Sequence, residues 1–254
     1  MRKSQESEQP NRWPGSKRKR FMDIVLASIL LPDVLAASGV IATAIRVIDK
    51  MDPYFEQPRN GRDMKPFLIQ KFQTMKPGSP QITSLGGNHP QATRLGNFLR
   101  KYHLDELPQI FNILAGDMSF VGERAEMTES DEGKSELEIT LAQLTEKQQE
   151  EYRRARANSR PGLTGSLQIH MHTSKFNEPE ELLGARGLST IEYAQNGTFF
   201  GDVRVLAQTA RYVVAKAGAE LSGPKVDYEY SEYSAQPDIV QLTAPQVALN
   251  EAVS

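Results

Sequence analysis

The chain contains no cysteine, and this absence removes several classes of protein at once. A secreted scaffold held by disulfides, a zinc site with thiolate ligands and a thiol nucleophile are all excluded. A cysteine-free composition is compatible with a protein whose working part lies in the cytoplasm.

The chain also lacks an excess of charge of either sign. Its 30 basic and 32 acidic residues give a formal net charge of −2. The overall charge therefore does not favour a nucleic-acid partner, and any anion-binding site must be local. Histidine is scarce and shows no HExxH spacing, so surface or lining roles explain the histidines better than a metal site. The four are His89, His103, His170 and His172.

One long apolar run stands out near the N-terminus, over residues 24–45. At about 1.5 Å per residue it is long enough to cross the hydrocarbon core of a bilayer. Pro32 and Asp33 interrupt its middle, however. Proline removes a helix hydrogen bond, and a carboxylate is costly at bilayer depth. We therefore predict a re-entrant helix over residues 21–50 that enters one leaflet, bends at Pro32 and returns to the same face.

Basic residues flank the apolar run on both sides, with Lys17 to Arg20 before it and Arg46 and Lys50 after it. Both flanks favour the anionic, cytoplasmic face of a membrane, which supports a helix that returns. A straight transmembrane span and a buried helix of a soluble protein are the alternatives, although the run has no polar stripe. The long basic region and the lack of a small-residue cleavage site disfavour a signal peptide.

The composition divides the rest of the chain into three parts. Residues 1–20 form a basic lead, residues 51–219 mix strand-like pieces with turns and helical stretches, and residues 220–254 predict a polar, disordered tail. The predicted fold class is α+β. It combines the N-terminal re-entrant membrane helix with a small mixed α/β catalytic domain that has short strands and interfacial helices.

Strand and helix signals are readable within residues 51–219. Asn60-Gly61 predicts a hairpin turn between strands near residues 55–57 and 67–72, which places Lys71 at a strand end. Further along, the composition predicts a solvated surface helix within residues 127–157. Residues 160–169 predict a turn and a short strand, in which Gly162 and Gly165 permit close approach of a ligand or serve only the turn. Residues 191–217 show an amphipathic helical pattern that packs on the core or lies in a membrane interface.

Charged side chains are concentrated in residues 94–126, around the adjacent carboxylates Asp105 and Glu106. Proline is tolerated in the first turn of a helix and glycine is favoured just past its end. Pro108 and Gly116 therefore predict a helix from about Asp105 to the residue before Gly116. Two carboxylates at a positive helix end suit a phosphate-bearing substrate with a divalent metal between carboxylate and phosphate. The alternative is structural, with Asp105 as an N-cap and Glu106 as a favourable first-turn charge.

Four strings in this order resemble the monotopic phosphoglycosyl transferase superfamily of bacterial sugar transferases. They are KRKRFMDIVLASILLP, RNGRDMKPFLIQKFQTM, RLGNFLRKYHLDELPQIFNILAGDMSFVGERAE and RPGLTGSLQI. The later GTFFGDVRVLAQTARYVVAKAGA is similar to the closing helix of that family. The resemblance covers roughly residues 16–219 and indicates a compact member.

The resemblance implies transfer of a phosphosugar from a nucleotide diphosphate sugar to polyprenyl (undecaprenyl) phosphate, which starts exopolysaccharide, capsule or O-antigen synthesis. Asp105 would attack the sugar-bearing phosphate and form a covalent aspartyl-phosphosugar that the lipid phosphate then displaces. Glu106 would bind Mg²⁺, the implied cofactor. The implied phosphate-binding cations are Lys71, Arg100 and Arg124. A one-step transfer with Asp105 as base is the mechanistic alternative.

Three motifs depart from the family pattern. The usual KFRTM reads KFQTM, with Gln73 in place of a cation, and the usual Pro-Arg-Pro reads Glu123-Arg124-Ala125. The usual Ser-Pro helix break reads Leu31-Pro32. These changes leave open a catalytically weak or inactive membrane-bound relative that acts as a scaffold or regulator of glycan assembly.

The resemblance also implies a place and partners for the protein. We expect it in the bacterial inner membrane with its catalytic domain facing the cytoplasm, acting on a nucleotide diphosphate sugar and a lipid phosphate rather than on nucleic acid. No residue pattern identifies the sugar, the nucleotide base or the polyprenol length. The mixed charge permits a monomer or a homodimer.

Overall fold

Eight α-helices and four short strands make up the part of the chain that the structure describes, and the expected α+β class is confirmed. This computed structural model describes residues 13–79, 91–128, 136–170 and 179–221. Most of the basic lead and nearly all of the predicted tail lie outside the described residues. The elements are α1 (Lys17–Ala44), β1 (Tyr54–Asn60), β2 (Pro66–Phe72), α2 (Arg94–Lys101), α3 (Gln109–Ala115), β3 (Ser119–Val121), α4 (Glu136–Ala142), α5 (Glu146–Asn158), β4 (Gly162–Thr164), α6 (Ser166–His170), α7 (Pro179–Asn196) and α8 (Phe199–Leu221).

Strands β1 and β2 form the predicted hairpin, with antiparallel pairing from Tyr54 opposite Phe72 to Asn60 opposite Pro66. The connection is longer than a two-residue Asn-Gly turn. It runs from Gly61 to Lys65, contains a short 3₁₀ turn over Arg62–Met64, and closes through the Gly61 N–H, which donates to the Lys65 carbonyl at 2.8 Å. The hairpin delivers Lys71, the second-last residue of β2, to the site described below.

Strands β3 and β4 pair in parallel, with Ser119 opposite Gly162 and Val121 opposite Thr164. A Cβ atom on Gly162 would lie 2.2 Å from the backbone nitrogen of Gly122, so the glycine permits close packing of two backbones. The short strand predicted within residues 160–169 is confirmed as β4. The strand stops after Thr164, and the chain turns into α6, where the Ile169 N–H bonds to the Gly165 carbonyl at 3.2 Å.

Helix α1 begins after an N-cap at Ser16, whose Oγ accepts from the Lys19 N–H at 3.0 Å. It stays α-helical on both sides of Pro32 and passes into a π-helical turn, Ile45–Asp49. Among the described residues, Lys17–Asp49 is the one helical stretch long and apolar enough to cross a membrane. The bend at Pro32 stays a prediction.

Both halves of this stretch pack against the rest of the protein. The first half contributes Ala27 to a core beneath α3 and β3, and the π-helical turn contributes Ile45 to a second core. The first core consists of Ala27, Ile69, Ile110, Ile113, Met118, Phe120 and Val121, and the second of Ile45, Phe72 and Leu99. The apolar helix therefore packs on the domain at two places, while many of its large apolar side chains, such as Ile29 and Val40, stay exposed and suit contact with lipid.

The basic cluster at the start of α1 is used partly inside the protein. Lys17 and Arg18 are exposed, whereas the side chain of Lys19 is only 2% exposed and pairs with Asp202 at 2.5 Å. Arg20 donates to the last carbonyl oxygens of α3, where a positive charge complements the helix dipole. The expectation that the whole cluster faces anionic lipid is therefore corrected for two of its four residues.

Removing the partner of Lys19 is expected to destabilise the protein. Asp202→Asn removes the carboxylate that pairs with the buried Lys19 ammonium, and loss of one partner of a buried ion pair costs about 3 to 5 kcal/mol of unfolding free energy. Thermal unfolding of the nanodisc-held protein measures the loss. The exposed pair Lys147–Glu151 supplies a matched control, because Lys147→Met should cost less than about 1 kcal/mol. Equal unfolding temperatures for the two variants would contradict the expectation.

Two predicted helices are each divided. The stretch within residues 127–157 contains α4 and α5, separated at Thr145, which forms a capping box with Gln148. Tyr152 of α5 is buried, so this helix is not wholly solvated. The pattern over residues 191–217 spans the end of α7 and most of α8, and Thr198 between them accepts from the Gly201 N–H at 3.0 Å. Local capping by threonine explains both breaks.

Candidate active site

The adjacent carboxylates lie in a 3₁₀ turn, Leu104–Glu106, directly before α3. The predicted end of the helix is confirmed, since Gly116 follows α3 with φ 98°. The helical region begins one residue earlier than predicted, after His103, which has the left-handed φ of 57°. The N-cap interpretation of Asp105 is wrong, because its carboxylate caps neither this turn nor α3.

Glu106 gathers two cations from distant parts of the chain. Its Oε1 accepts from Lys71 Nζ at 2.9 Å and from Arg124 Nη1 at 3.2 Å. Lys71 comes from β2 and Arg124 from the segment after β3. The lysine side chain is largely buried, unlike most lysines at strand ends. Three of the predicted site residues therefore meet at one oxygen atom.

The cations determine the charge state of Glu106. Burial alone would raise the pKa of this carboxyl, but the positive charges of Lys71 and Arg124 outweigh burial and hold the pKa well below its usual range. The same carboxylate raises the pKa of the Arg124 guanidinium. Glu106 is thus ionised at neutral pH and neutralises part of the charge of both cations.

Asp105 has a contrasting environment. The residue is 8% exposed, and its carboxylate accepts no hydrogen bond from any residue in the described ranges. Burial raises its pKa, and the negative charge of Glu106 raises it further, while Lys71 and Arg100 act in the opposite direction. Neighbouring carboxyls with opposite pKa shifts suit different chemical roles. A carboxylate that accepts no hydrogen bond is free to meet a ligand, whereas Oε1 of Glu106 is already bound by two cations.

Arg100 reaches the site from the last turn of α2 and acts on Asp105 through its charge. Thr93 fixes the start of this helix, because its Oγ1 accepts from the Gly96 N–H at 2.8 Å. The same hydroxyl donates to Asp49 Oδ2 at 2.7 Å. The end of the apolar N-terminal stretch is therefore bonded to the helix that carries Arg100.

Two of the positions that depart from the family pattern, Gln73 and Glu123, bond to groups other than Glu106. Gln73 Nε2 donates to the Met75 carbonyl at 2.6 Å. Glu123 is buried, and its Oε1 accepts from Ser189 Oγ at 2.7 Å and from Ser166 Oγ at 3.5 Å. Burial raises the pKa of Glu123. Its carboxylate therefore faces α6 and α7 and makes no contact with the Arg124 guanidinium in the described structure.

A buried polar layer behind Arg124 was missed by sequence reasoning. Arg59 donates through Nη2 to Gln57 Oε1 at 2.6 Å and lies 3.6 Å from Glu136, which is also 3.9 Å from Arg186. Burial lowers the pKa of Arg59 to about 10, and the charge of Arg124 lowers it as well. The RNGRD string around Arg59 is the one sequence signal near this layer. The charged partner of Arg59, Glu136, lies far from it in the sequence, so no local pattern predicts that they meet.

The carboxylate pair fits a metal ion that is held jointly with substrate. Within the described ranges, no group of three or more histidine and carboxylate side chains is placed to hold a metal ion. Mg²⁺ at phosphate sites, however, commonly takes one or two carboxylates and completes its shell with phosphate oxygens and water. Since Glu106 Oε1 binds both cations, Oε2 remains as the oxygen of this side chain that can face a metal ion.

Comparison with known proteins assigns the family. The family model described as bacterial sugar transferase matches residues 15–216. The chain belongs to the bacterial sugar transferase family. The family and the transferase class expected from the sequence are thereby confirmed, and the matched region contains the apolar helix and all the site residues above.

Several relatives of this sugar transferase carry named activities. It is 32% identical over 194 residues to the UDP-glucose:undecaprenyl-phosphate glucose-1-phosphate transferase of Caulobacter vibrioides, covering 76% of this chain and 68% of that protein. An Escherichia coli protein of the same name is 32% identical over 193 residues, covering 75% of this chain but only 39% of its own length. An uncharacterized sugar transferase of Bacillus subtilis, EpsL, is 30% identical over 202 residues, covering 80% of this chain and 90% of its own length.

Proposed function

We propose that this sugar transferase moves a phosphosugar from a nucleotide diphosphate sugar to polyprenyl phosphate through a covalent intermediate on Asp105. The product would begin an exopolysaccharide, capsule or O-antigen glycan. The observation that carries the proposal is the contrast within the carboxylate pair. Asp105 is buried without a hydrogen bond from any described residue, while its neighbour Glu106 is ionised and paired with two cations. The names of the relatives support the lipid phosphate as acceptor.

In the first half-reaction, an oxygen of Asp105 attacks the phosphorus that carries the sugar. A bond forms between this oxygen and phosphorus as the bond to the leaving nucleoside monophosphate breaks. The charges of Lys71, Arg100 and Arg124 stabilise the negative charge that builds on the phosphate oxygens. Glu106 already holds the side chains of Lys71 and Arg124 in place, so these two cations need little rearrangement when the substrate binds.

The carboxylate pair also accounts for the expected cofactor. Glu106, with Asp105 beside it, would hold Mg²⁺ together with oxygens of the diphosphate. When bound, the ion neutralises charge on the diphosphate and so assists departure of the nucleoside monophosphate. Glu106 suits this role because it remains ionised at neutral pH.

In the second half-reaction, an oxygen of the lipid phosphate attacks the phosphorus of the aspartyl-phosphosugar. The bond to Asp105 breaks, and the carboxylate regains its negative charge. The lipid approaches from the membrane, so the site must lie at the depth of the lipid phosphates. The apolar helix that packs beneath α3 and β3 supports such a position.

The packing of the N-terminal stretch supports a re-entrant placement in the inner membrane, with the domain on the cytoplasmic side. The 33 residues of Lys17–Asp49 would measure about 50 Å as a straight helix, against about 30 Å for the hydrocarbon core. A spanning helix carries one of its ends away from the domain. Here Lys19 near one end pairs with Asp202, and Asp49 at the other end bonds to Thr93.

Single cysteines can test this placement cleanly, because the chain has none of its own. Lys17→Cys and Lys50→Cys place an exposed thiol at either end of the helix, and Lys147→Cys marks the domain surface. In sealed vesicles, a membrane-impermeant maleimide should label all three from the same face. Labelling of positions 17 and 50 from opposite faces would establish a spanning helix instead.

Nucleoside monophosphate release tests the reaction itself. Nanodisc-held protein is given Mg²⁺, undecaprenyl phosphate and a panel of nucleotide diphosphate sugars, and the released monophosphate is quantified. Release with one donor supports the transferase and identifies the sugar and the base. No release from folded, membrane-bound protein with any donor would favour the scaffold alternative.

A further inference from the structure

Lys216 on α8 is a cation with no role in the reaction described so far. Its Nζ donates to the Tyr212 hydroxyl at 2.9 Å and lies 5.1 Å from the centre of the same ring. In the described parts of the chain, the ammonium forms no ion pair with a carboxylate. A partly buried cation without a counter-ion favours an anionic ligand, because the ligand supplies the missing charge.

Tyr212 places this cation beside the catalytic turn. The tyrosine ring lies 6.4 Å from the ring of His103, which immediately precedes the turn that contains Asp105 and Glu106. His103 is within electrostatic range of both carboxylates and of Lys216. Helix α8 therefore brings a cation near the catalytic turn, in addition to those from β2 and from the segment after β3.

The two faces of α8 differ in their surroundings at this point. Val214 is 70% exposed, and Val203, three helical turns earlier, is exposed on the same stripe. At about 100° per residue, Tyr212 and Lys216 lie on the opposite side of the helix from Val214. Phe200, at the start of the helix, is 80% exposed. The exposed side of α8 also carries Arg204 and Arg211, so it is a mixed apolar and polar surface of the kind that suits a membrane interface. Tyr212, on the other side, lies beside His103 of the catalytic turn.

We propose that Lys216, positioned by Tyr212, binds the phosphate of the polyprenyl phosphate acceptor at the membrane edge of the active site. The proposal rests on the function proposed above and adds a binding site for the second substrate. Helix α8 exposes Phe200, Val203 and Val214, so an acceptor held in the leaflet can approach the catalytic turn along this helix. The water-soluble donor has no need of this route, and Lys71 and Arg124 already bind Glu106.

The first test is kinetic and uses the full chain in nanodiscs. Lys216→Met should raise KM for undecaprenyl phosphate about tenfold or more, because one charged hydrogen bond to phosphate is lost. The burst of nucleoside monophosphate formed without lipid should stay unchanged. Lys216→Arg should restore most of the affinity, and Tyr212→Phe should raise KM less but in the same direction. Arg211→Met, at an exposed cation on the same helix, is the matched control and should leave KM unchanged.

The second test measures lipid binding directly, without any nucleotide sugar. Detergent-held protein should retain radiolabelled undecaprenyl phosphate about tenfold less tightly after Lys216→Met. Unchanged lipid affinity in this variant overturns the proposal, whether or not the wild type turns over. An equal loss in the donor burst also overturns it, since Lys216 would then serve the donor. If the wild type releases no monophosphate but binds lipid through Lys216, the transferase proposal fails while the lipid site stands.

Discussion

Replacing Asp105 with asparagine is expected to abolish nucleoside monophosphate release without unfolding the protein. The amide has nearly the volume of the carboxyl group but does not attack phosphorus, so the rate should fall about 10⁴-fold or more. Asparagine also removes the negative charge beside Glu106. If the variant released nucleoside monophosphate at nearly the wild-type rate, Asp105 would not be the nucleophile.

The stability of the Asp105→Asn variant gives the built-in control. Burial and the charge of Glu106 raise the pKa of Asp105, so the ionised form is disfavoured in the folded protein. This penalty is fully present above the raised pKa and disappears as the pH falls below the ordinary value of 3.8. At neutral pH the variant should unfold at the wild-type temperature or above it. A lower unfolding temperature would mean that the lost activity reflects damage to the fold.

The covalent intermediate can be separated from the one-step alternative. Wild-type protein incubated with donor and Mg²⁺ but without lipid should gain the mass of one phosphosugar on the peptide that contains Asp105. Mass spectrometry of the digested protein measures the adduct, and Asp105→Asn should carry none. An active wild type without an adduct would favour direct transfer with Asp105 as a base.

Replacing Glu106 with glutamine is expected to reduce both rate and stability. The variant loses the ionised oxygen that pairs with Lys71 and Arg124 and the carboxylate proposed for Mg²⁺. Loss of such preorganised charge should slow release about 10²- to 10³-fold. The largely buried ammonium of Lys71 is left without its partner, which costs about 3 to 5 kcal/mol of unfolding free energy.

A second substitution separates these two effects of Glu106→Gln. Adding Lys71→Met removes the unpaired ammonium, so the double variant should recover much of the unfolding temperature but none of the rate. Because the folded-state pKa of Glu106 is depressed, its contribution to stability is present above the unfolded value, near 4.5, and is lost as the pH falls through the lower folded value. The stability difference between wild type and Glu106→Gln should therefore shrink in acid. Recovery of rate in the double variant would show that Glu106 serves only to balance Lys71.

Local sequence signals predicted the elements around the site. Pro108 and Gly116 bracket a helix for steric reasons that act within a few residues, and the structure places α3 between them. The alternating pattern of residues 67–72 similarly predicted β2. The proximity of Lys71, Glu106 and Arg124 was not contained in any local pattern. It followed only from the family resemblance.

Long-range partners account for what sequence reasoning did not find. In the sequence, Lys19 is one of several basic residues before an apolar run, a pattern that predicts exposure. In the structure it is buried and pairs with Asp202, which lies far along the chain. Glu136 likewise lies in a charged, helical stretch whose composition predicts exposure, but Arg59 and Arg186 surround it. A buried ion pair depends on which segments the fold brings together, and the identity of a single charged residue does not encode that.

The turn that contains Asp105 and Glu106 packs on the same hydrophobic core as the apolar N-terminal stretch. Ile45 packs with Phe72 and Leu99 in one core, and Leu104 and Leu107, on either side of the carboxylate pair, rest on the same core. The apolar N-terminal stretch is thus not a detachable module fused to a self-sufficient domain. Deleting it to obtain a water-soluble version would remove part of the support of the reacting groups, so solubility and activity cannot be separated by truncation in this protein.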